Sequence, residues 1–552
     1  MYLGTESNRV VIPANPGSQS GVARARIKEY KEFWIPYIHK RSLHCQKSSG
    51  RNSWEIYRAH QSAMSSDHLP THSSAWSPLY QPLFRALWIA AVASNIGTWM
   101  QNVGAAWLMT SLAPSPTMVA LVQAATSLPV FLVALPAGAI ADLVDRRRLL
   151  LLTQGWMLLA AGGLGALTLM GATTPWLLLT LTFALGLGAA MNAPAWQAII
   201  PELITGSEVR AAVTLNGVGY NLARAVGPAL GGLTVGALGS GAVFILNALS
   251  FLGVMVVLYG WKRPVGEHAL PAEDAFGAMR SGIRYIRYAP ALRAVLSRTA
   301  VFIFGGSALW ALLPLVARQE LALNATGYGV LLGCLGAGAV IGAALLPQIQ
   351  RRLSTDLFLA GATLLFAFAT AMPAYVRSFS LVSAAMVAGG MAWITIMSTF
   401  NVGAQVTVPS WVRARALAVY GLMFQGGTAI GSTLWGIVAD HVGLPMALVS
   451  AAATLILSLA AMGRYRLKLE DEIDLTPSPH WPEPVLSMNP SPDSGPVLVT
   501  IEYAIDPARA REFVSAMQGV RSLRLRDGAY RWGLFNDPAQ PARYVETFVI
   551  AS

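Results

Sequence analysis

Twelve runs of mostly apolar residues, each long enough to cross a bilayer as a helix, follow one another between about residues 84 and 463. A spanning helix needs roughly twenty such residues, because each adds about 1.5 Å and the hydrocarbon layer is about 30 Å thick. The runs lie near 84–110, 117–140, 148–170, 174–198, 209–235, 240–260, 294–317, 326–349, 355–376, 379–403, 411–437 and 444–463. Only 12% of the 552 residues are charged, against roughly 25% in a soluble domain. The pattern predicts an all-α polytopic membrane protein with twelve transmembrane helices. The basic stretch 262–293, expected as a central loop, divides them into halves at 81–261 and 294–466.

The net charge of +12 is spread over loops between the runs. Membrane topology, not a nucleic-acid partner, is the expected cause. One side carries Arg146, Arg147, Arg148, Arg210, Lys262, Arg263, Arg280, Arg284, Arg287 and Arg293, then Arg351, Arg352, Arg413, Arg415, Arg464, Arg466 and Lys468. The other side carries little beyond Arg318 and Arg377. The positive-inside rule places the basic side, the central loop and both termini in the cytoplasm. Cys45 and Cys334 are the only cysteines, and the histidines form no HExxH cluster, so no metal site or disulfide framework is expected. No GxxxxGK[ST] loop is present to hold ATP. No cofactor is expected.

The halves carry a weak internal repeat. A shift of 204 positions superimposes Gly217, Gly227 and Gly232 on Gly421, Gly431 and Gly436. Related halves with a site between them are an architecture of transporters. Outside the bundle, residues 1–80 form a polar, basic tail without a secretory h-region, expected to be disordered. Met64 offers a second candidate start. Residues 467–495 form a proline-rich linker. Residues 496–552 read as a cytoplasmic α+β module: "VLVTIEYAI" alternates like a strand, and "DPARAREFVSAMQGV" is a helix with Asp506 as N-cap and Pro507 in its first turn. The chain stops at Ser552 in or just after a strand, which reads as an incomplete ferredoxin-like domain.

The second run ends in "GAIADLVDRRRLLL". Gly138, Asp142, Arg146 and Arg147 there resemble the signature between spans two and three of the major facilitator superfamily, with Leu143 replacing a usual basic residue and Asp145 a usual glycine. The resemblance implies a conformational latch: a small residue admits a close helix, and the carboxylate pairs across it. "ARAVGPALGG" in the fifth run is similar to the superfamily's antiporter motif at Gly227, Pro228, Gly231 and Gly232, with Ala223 at its first glycine. There the proline would kink the helix into a hinge. With "ASNIGTWMQNVGAAWLM" and "MNAPAWQAIIPEL", these segments resemble the drug and siderophore efflux branch, which includes enterobactin exporters and macrolide efflux proteins; the likeness covers about residues 80–465. The C-terminal module is similar to small ferredoxin-like monooxygenase folds, but carries no cofactor motif.

Arg224 stands near the middle of the fifth run. An unpaired charge there costs at least ~2.5–3.5 kcal/mol, so it should meet a cavity or a partner. It serves either as a cationic contact for an anionic or polyphenolic cargo, or as a structural donor to helix ends; it shares a helical face with Asn221 and Gly217. Asn95, Trp99 and Asn102 repeat at i, i+4 and i+7 on the first run, and Gln101 lies beside them. Asn192, Gln197, Asn216, Trp310 and Gln425 complete the expected transport path, with Trp393 and Phe424 as further aromatics. Spans one, four, five, seven, eight, ten and eleven should line it. Asp142, Glu202, Glu320 and Asp440 all sit at span ends. The resemblance implies proton antiport, with no mid-span acid to carry the proton. The leading expectation is a monomeric exporter of a small molecule in a bacterial inner membrane. The alternatives are proton-coupled import, or a membrane-anchored sensor or enzyme acting through the C-terminal module.

Overall fold

A computed structural model of the chain describes residues 76–204, 208–261, 283–350, 354–462 and 495–550. The tail up to residue 75, the central-loop stretch 262–282 and the linker stretch 463–494 therefore lie outside the described residues. The bundle comprises α1 (Pro82–Leu112), α2 (Pro116–Leu143), α3 (Arg146–Leu169), α4 (Pro175–Leu203), α5 (Val209–Gly260), α6 (Pro290–Leu315), α7 (Ala325–Gln350), α8 (Thr355–Ala371), α9 (Phe379–Val406), α10 (Ser410–Val442) and α11 (Leu444–Met462). All twelve apolar runs are helical at their centres. Among the described residues, eight helices are long and apolar enough to cross a membrane, one of them the 52-residue α5.

Local chemistry places the helix starts. Proline occupies the first turn of α1, α2, α4 and α6, where its missing N–H has no intrahelical partner to lose. Asp145 caps α3 by accepting from the Arg148 amide at 2.9 Å, and Thr174 caps α4 through the Leu177 amide at 3.3 Å. Asp145 thus has a use at a position where the superfamily signature has glycine.

The fifth and sixth runs are one continuous element broken only at Gly239, whose φ of 82° and ψ of 168° suit glycine alone. α10 ends at Gly443, with φ 85° and ψ 158°. These two glycines are also 204 positions apart, which adds a fourth pair to the repeat. The environments of the other pairs match as well. A Cβ on Gly227 would fall 2.6 Å from Trp99 Cβ on α1, and one on Gly431 would fall 2.9 Å from the Phe304 carbonyl on α6. A Cβ on Gly232 would lie 2.5 Å from Gly329 Cα on α7, and one on Gly436 would lie 2.6 Å from Ala120 Cβ on α2. Gly217 and Gly421 both face open space. The first glycine pair thus packs on the leading helix of its own half, and the second on the second helix of the opposite half. Two seams result, α2 along α10 and α5 along α7. Close backbone approach at small residues is the usual means of tight helix contact where lipid removes the hydrophobic drive.

The C-terminal residues form β1 (Val497–Ala504), α12 (Ala510–Asp527), β2 (Ala529–Asp537) and β3 (Gln540–Ile550), in a sheet of order β1-β3-β2. Asp506 accepts from the Ala508 amide at 3.0 Å and starts the 3-10 turn that leads into α12. Phe513 packs between Tyr503 and Tyr544, and buried Glu546 accepts from the Tyr503 hydroxyl at 2.8 Å.

Candidate functional site

A cavity of about 310 Å³ lies between the halves. α1 contributes Asn95, Thr98, Trp99 and Asn102, and α2 contributes Gln123, Thr126 and Ser127. α5 contributes Tyr220, Arg224 and Pro228; the second half supplies Ser307, Trp310, Tyr328, Trp393, Phe424, Gln425 and Thr428. Arg224 is the only Lys, Arg, Asp or Glu among the described lining residues. Its guanidinium carbon sits 6.0 Å from the ring centre of Trp310, across the interface of the halves. Trp310 meets Trp393 edge-on at 5.5 Å, and Trp393 in turn meets Phe424 at 6.3 Å and Phe366 at 5.5 Å.

Of the expected path residues, Asn95, Trp99, Asn102, Arg224, Trp310 and Gln425 come together here. The other five do not. Gln101 is buried on the opposite side of α1, where its amide oxygen accepts from Asn247. Asn192 accepts from Thr153 at 3.1 Å and Gln154 at 3.3 Å, which turns it toward α3. Gln197 is exposed elsewhere on α4. Asn216 accepts from the Trp196 indole at 3.3 Å, and Asn221 donates to the Gly217 carbonyl of its own helix at 2.9 Å. Arg224 therefore shares the cavity with Tyr220, one turn before it, and not with Asn221. α2 lines the cavity in place of the expected fourth span, because α4 packs behind α2 and α3. The polar set Gln123, Thr126 and Ser127 was readable only as spacing of three and four residues in an otherwise apolar run.

The expected hinge keeps helical backbone through Pro228; the non-helical residue of α5 is Gly239, eleven residues on. Gly227, Gly231 and Gly232 act as contact points: a Cβ on Gly231 would meet Met100 Cα at 2.8 Å. In the expected latch, Gly138 has nothing among the described residues within 4 Å of where a Cβ would stand. The side chain of Asp142 lies outside the described residues. Arg146 pairs with Glu202 at 2.6 Å and donates to the Ala198 carbonyl at 3.2 Å, bracing α3 against α4. Arg147 donates to the carbonyls of Leu258 and Tyr259 at 2.9 and 2.6 Å, at the C-terminal end of α5.

At the opposite end of the bundle, polar contacts cross between the halves. Arg318, in the π-helical turn after α6, donates to Thr110 Oγ1 at 2.9 Å and to Ser111, and lies 5.6 Å over the Trp107 ring. Trp107 stacks on Tyr328 at 6.0 Å. Asp440 on α10 accepts from the Thr117 amide and the Ser115 hydroxyl, both at 3.1 Å, and from the Thr117 hydroxyl. A cation thus meets the C-terminus of α1 and a carboxylate caps the N-terminus of α2, each matching the helix dipole.

The sequence profile of the transmembrane secretion effector family, a branch of the major facilitator superfamily, matches residues 73–552. The chain belongs to this family. It is a multi-pass membrane transporter of the major facilitator superfamily, not an enzyme. The multidrug efflux pump Tap of Mycolicibacterium fortuitum is 25% identical over 71% of this chain and 97% of its own length. The staphyloferrin A transporter of Staphylococcus aureus is 22% identical over 63% of this chain and 87% of its own. In fold, the transporter is similar to a bacterial homologue of the human lysosomal transporter Spinster in an inward-facing, occupied conformation, with a TM-score of 0.58 and 15% identity over 71% of this chain and 98% of that one.

Proposed function

We propose that this transporter exports a small organic molecule across the bacterial inner membrane by alternating access. The observation that carries the reading is a cavity at the meeting of two repeat-related halves, with polar inter-half contacts described at the Arg318 and Asp440 end. In this reading all twelve apolar runs cross the membrane, and the end bearing Arg146, Arg147 and Arg413 faces the cytoplasm with both termini. The Arg318 and Asp440 contacts then close the outer side, and the cavity loads from within. Names of the relatives support efflux of a drug or a siderophore, and resemblance to the superfamily supports antiport with protons. No acid stands among the described lining residues, so a coupling proton would bind at a span end, such as Asp440 or Asp142.

The test is efflux of dyes, macrolides and catecholate siderophores from a pump-deficient bacterium, comparing wild type with Arg224→Ala at equal membrane expression. Protonophore-sensitive export that Arg224→Ala reduces at least tenfold, about 1.4 kcal/mol, is expected. Greater accumulation in expressing cells would establish import instead, and export untouched by the protonophore would remove proton coupling.

A further inference from the structure

We propose that the cavity is a two-part site for a planar aromatic anion, whose anionic group is held by Arg224 and whose ring lies against Trp310 and its aromatic neighbours. The inference rests on the reading of this cavity as the transport site.

The two walls differ in chemistry. The first-half wall is rich in donors: the guanidinium of Arg224, the amides of Asn95 and Asn102, and the hydroxyl of Tyr220. No described acidic side chain lines the cavity to balance that cation. A guanidinium in this setting offers paired N–H groups that match a carboxylate or sulfonate. The second-half wall is aromatic. Trp310 stands on Trp393, which is itself fixed among Phe302, Phe366 and Phe424 at ring separations of 5.8, 5.5 and 6.3 Å. Trp393 is 5% exposed, so this support is rigid.

Across the interface Arg224 faces the Trp310 ring, 6.0 Å away. A π face is a weak counterpart for a cation compared with a real anion. A planar aromatic anion replaces both sides of that contact: its charge takes the guanidinium and its ring takes the indole. Cargo then bridges the halves through one residue from each. A lipophilic cation would meet Arg224 with no acid to offset it, and a neutral analogue would lose the charge-assisted bond. The volume of about 310 Å³ suits a compact ligand of two or three fused rings.

Equilibrium dialysis on the purified full-length protein in lipid nanodiscs tests this with three matched probes: 9-anthracenecarboxylate, 9-anthracenecarboxamide and 9-anthracenemethylammonium. Wild type should bind the carboxylate about tenfold tighter than the amide, and the ammonium least. Arg224→Gln should level carboxylate and amide, and Arg224→Lys should restore part of the preference. Trp310→Leu should weaken carboxylate and amide by similar factors, leaving their ratio unchanged. Equal binding of carboxylate and amide by wild type would overturn the proposal, as would a carboxylate preference that survives Arg224→Gln. Should Arg224→Gln fail to fold, Arg224→Lys and Trp310→Leu still decide the matter through the ratio. If the binding preference holds but expressing cells accumulate the carboxylate, the export reading falls while the site chemistry stands.

Discussion

The two ends of the bundle are held in different ways. At the end of Arg318 and Asp440, Arg318 of the second half donates to α1, and Asp440 accepts from the start of α2. At the basic end, Arg146 and Arg147 bond to Glu202, Leu258 and Tyr259, all within the first half. Among the described residues, nothing lies within 4 Å of a Cβ placed on Gly138, Gly217 or Gly421 there. Rocking the halves apart at the first end must break polar contacts, whereas the arginine contacts at the basic end can ride along unbroken. Arg146 and Arg147 of the signature are thus, in their described contacts, braces inside one half, and at the other end the halves are joined by Arg318 and Asp440, which belong to no motif.

The hardest blow to this comparison is a side chain placed in the seam. Gly232→Leu puts new atoms against Gly329 Cα, and overpacking of this kind costs about 1–3 kcal/mol. The variant should lose thermal stability and most transport, while Gly217→Leu, with open space around it, should keep both. A stable, active Gly232→Leu would show that the seam is not closely packed. Next in size is Asp440→Asn, which removes the charge from the α2 cap and with it about 1 kcal/mol from the closure of this end, the outer one in the proposed orientation. A cysteine placed at Thr126 in the cavity should then react faster with an impermeant maleimide added from outside. Unchanged labelling would leave Asp440 without a gating role.

Arg318→Ala should act in the same direction by about 0.5–1 kcal/mol, since one of its bonds is only partly buried, the other is exposed, and its partner ring is a single indole. Arg147→Ala should be the mildest, with about 0.3–1 kcal/mol lost from the fit of α3 to the end of α5. It should leave the labelling of Thr126→Cys from outside as in wild type. If that labelling rises, the two ends are coupled more tightly than their contacts suggest.

Much of the helical architecture can be read along the chain, since each of the twelve apolar runs is helical at its centre, and eight of the described helices are long and apolar enough to cross a bilayer. The repeat was visible at Gly217, Gly227 and Gly232, but Gly239 and Gly443 escaped notice because a left-handed backbone leaves no trace in composition. Helical spacing placed Asn95, Trp99 and Asn102 on the face that lines the cavity. The same reasoning misled at Asn221, whose amide folds back onto Gly217 of its own helix. The pairing of Arg224 with Trp310 joins residues far apart in sequence, and no periodicity reaches that far. Gln123, Thr126 and Ser127 stayed hidden because small polar side chains are tolerated in any membrane helix, bonding to carbonyls a turn back, as Thr126 does to Gln123.

Arg224 also makes the empty and the filled cavity electrically different. With an anion bound the pair is neutral, whereas the emptied cavity holds one positive charge among its described lining residues. A charge crossing the full membrane field exchanges about 2.3 kcal/mol for every 100 mV, and the rocking of the halves carries Arg224 through some fraction of that drop. Under the proposed export of an anion, with the basic end in an inside-negative cytoplasm, the voltage would draw the emptied carrier back to its loading state. The membrane potential then acts on the return stroke, and the loaded stroke passes as an uncharged pair.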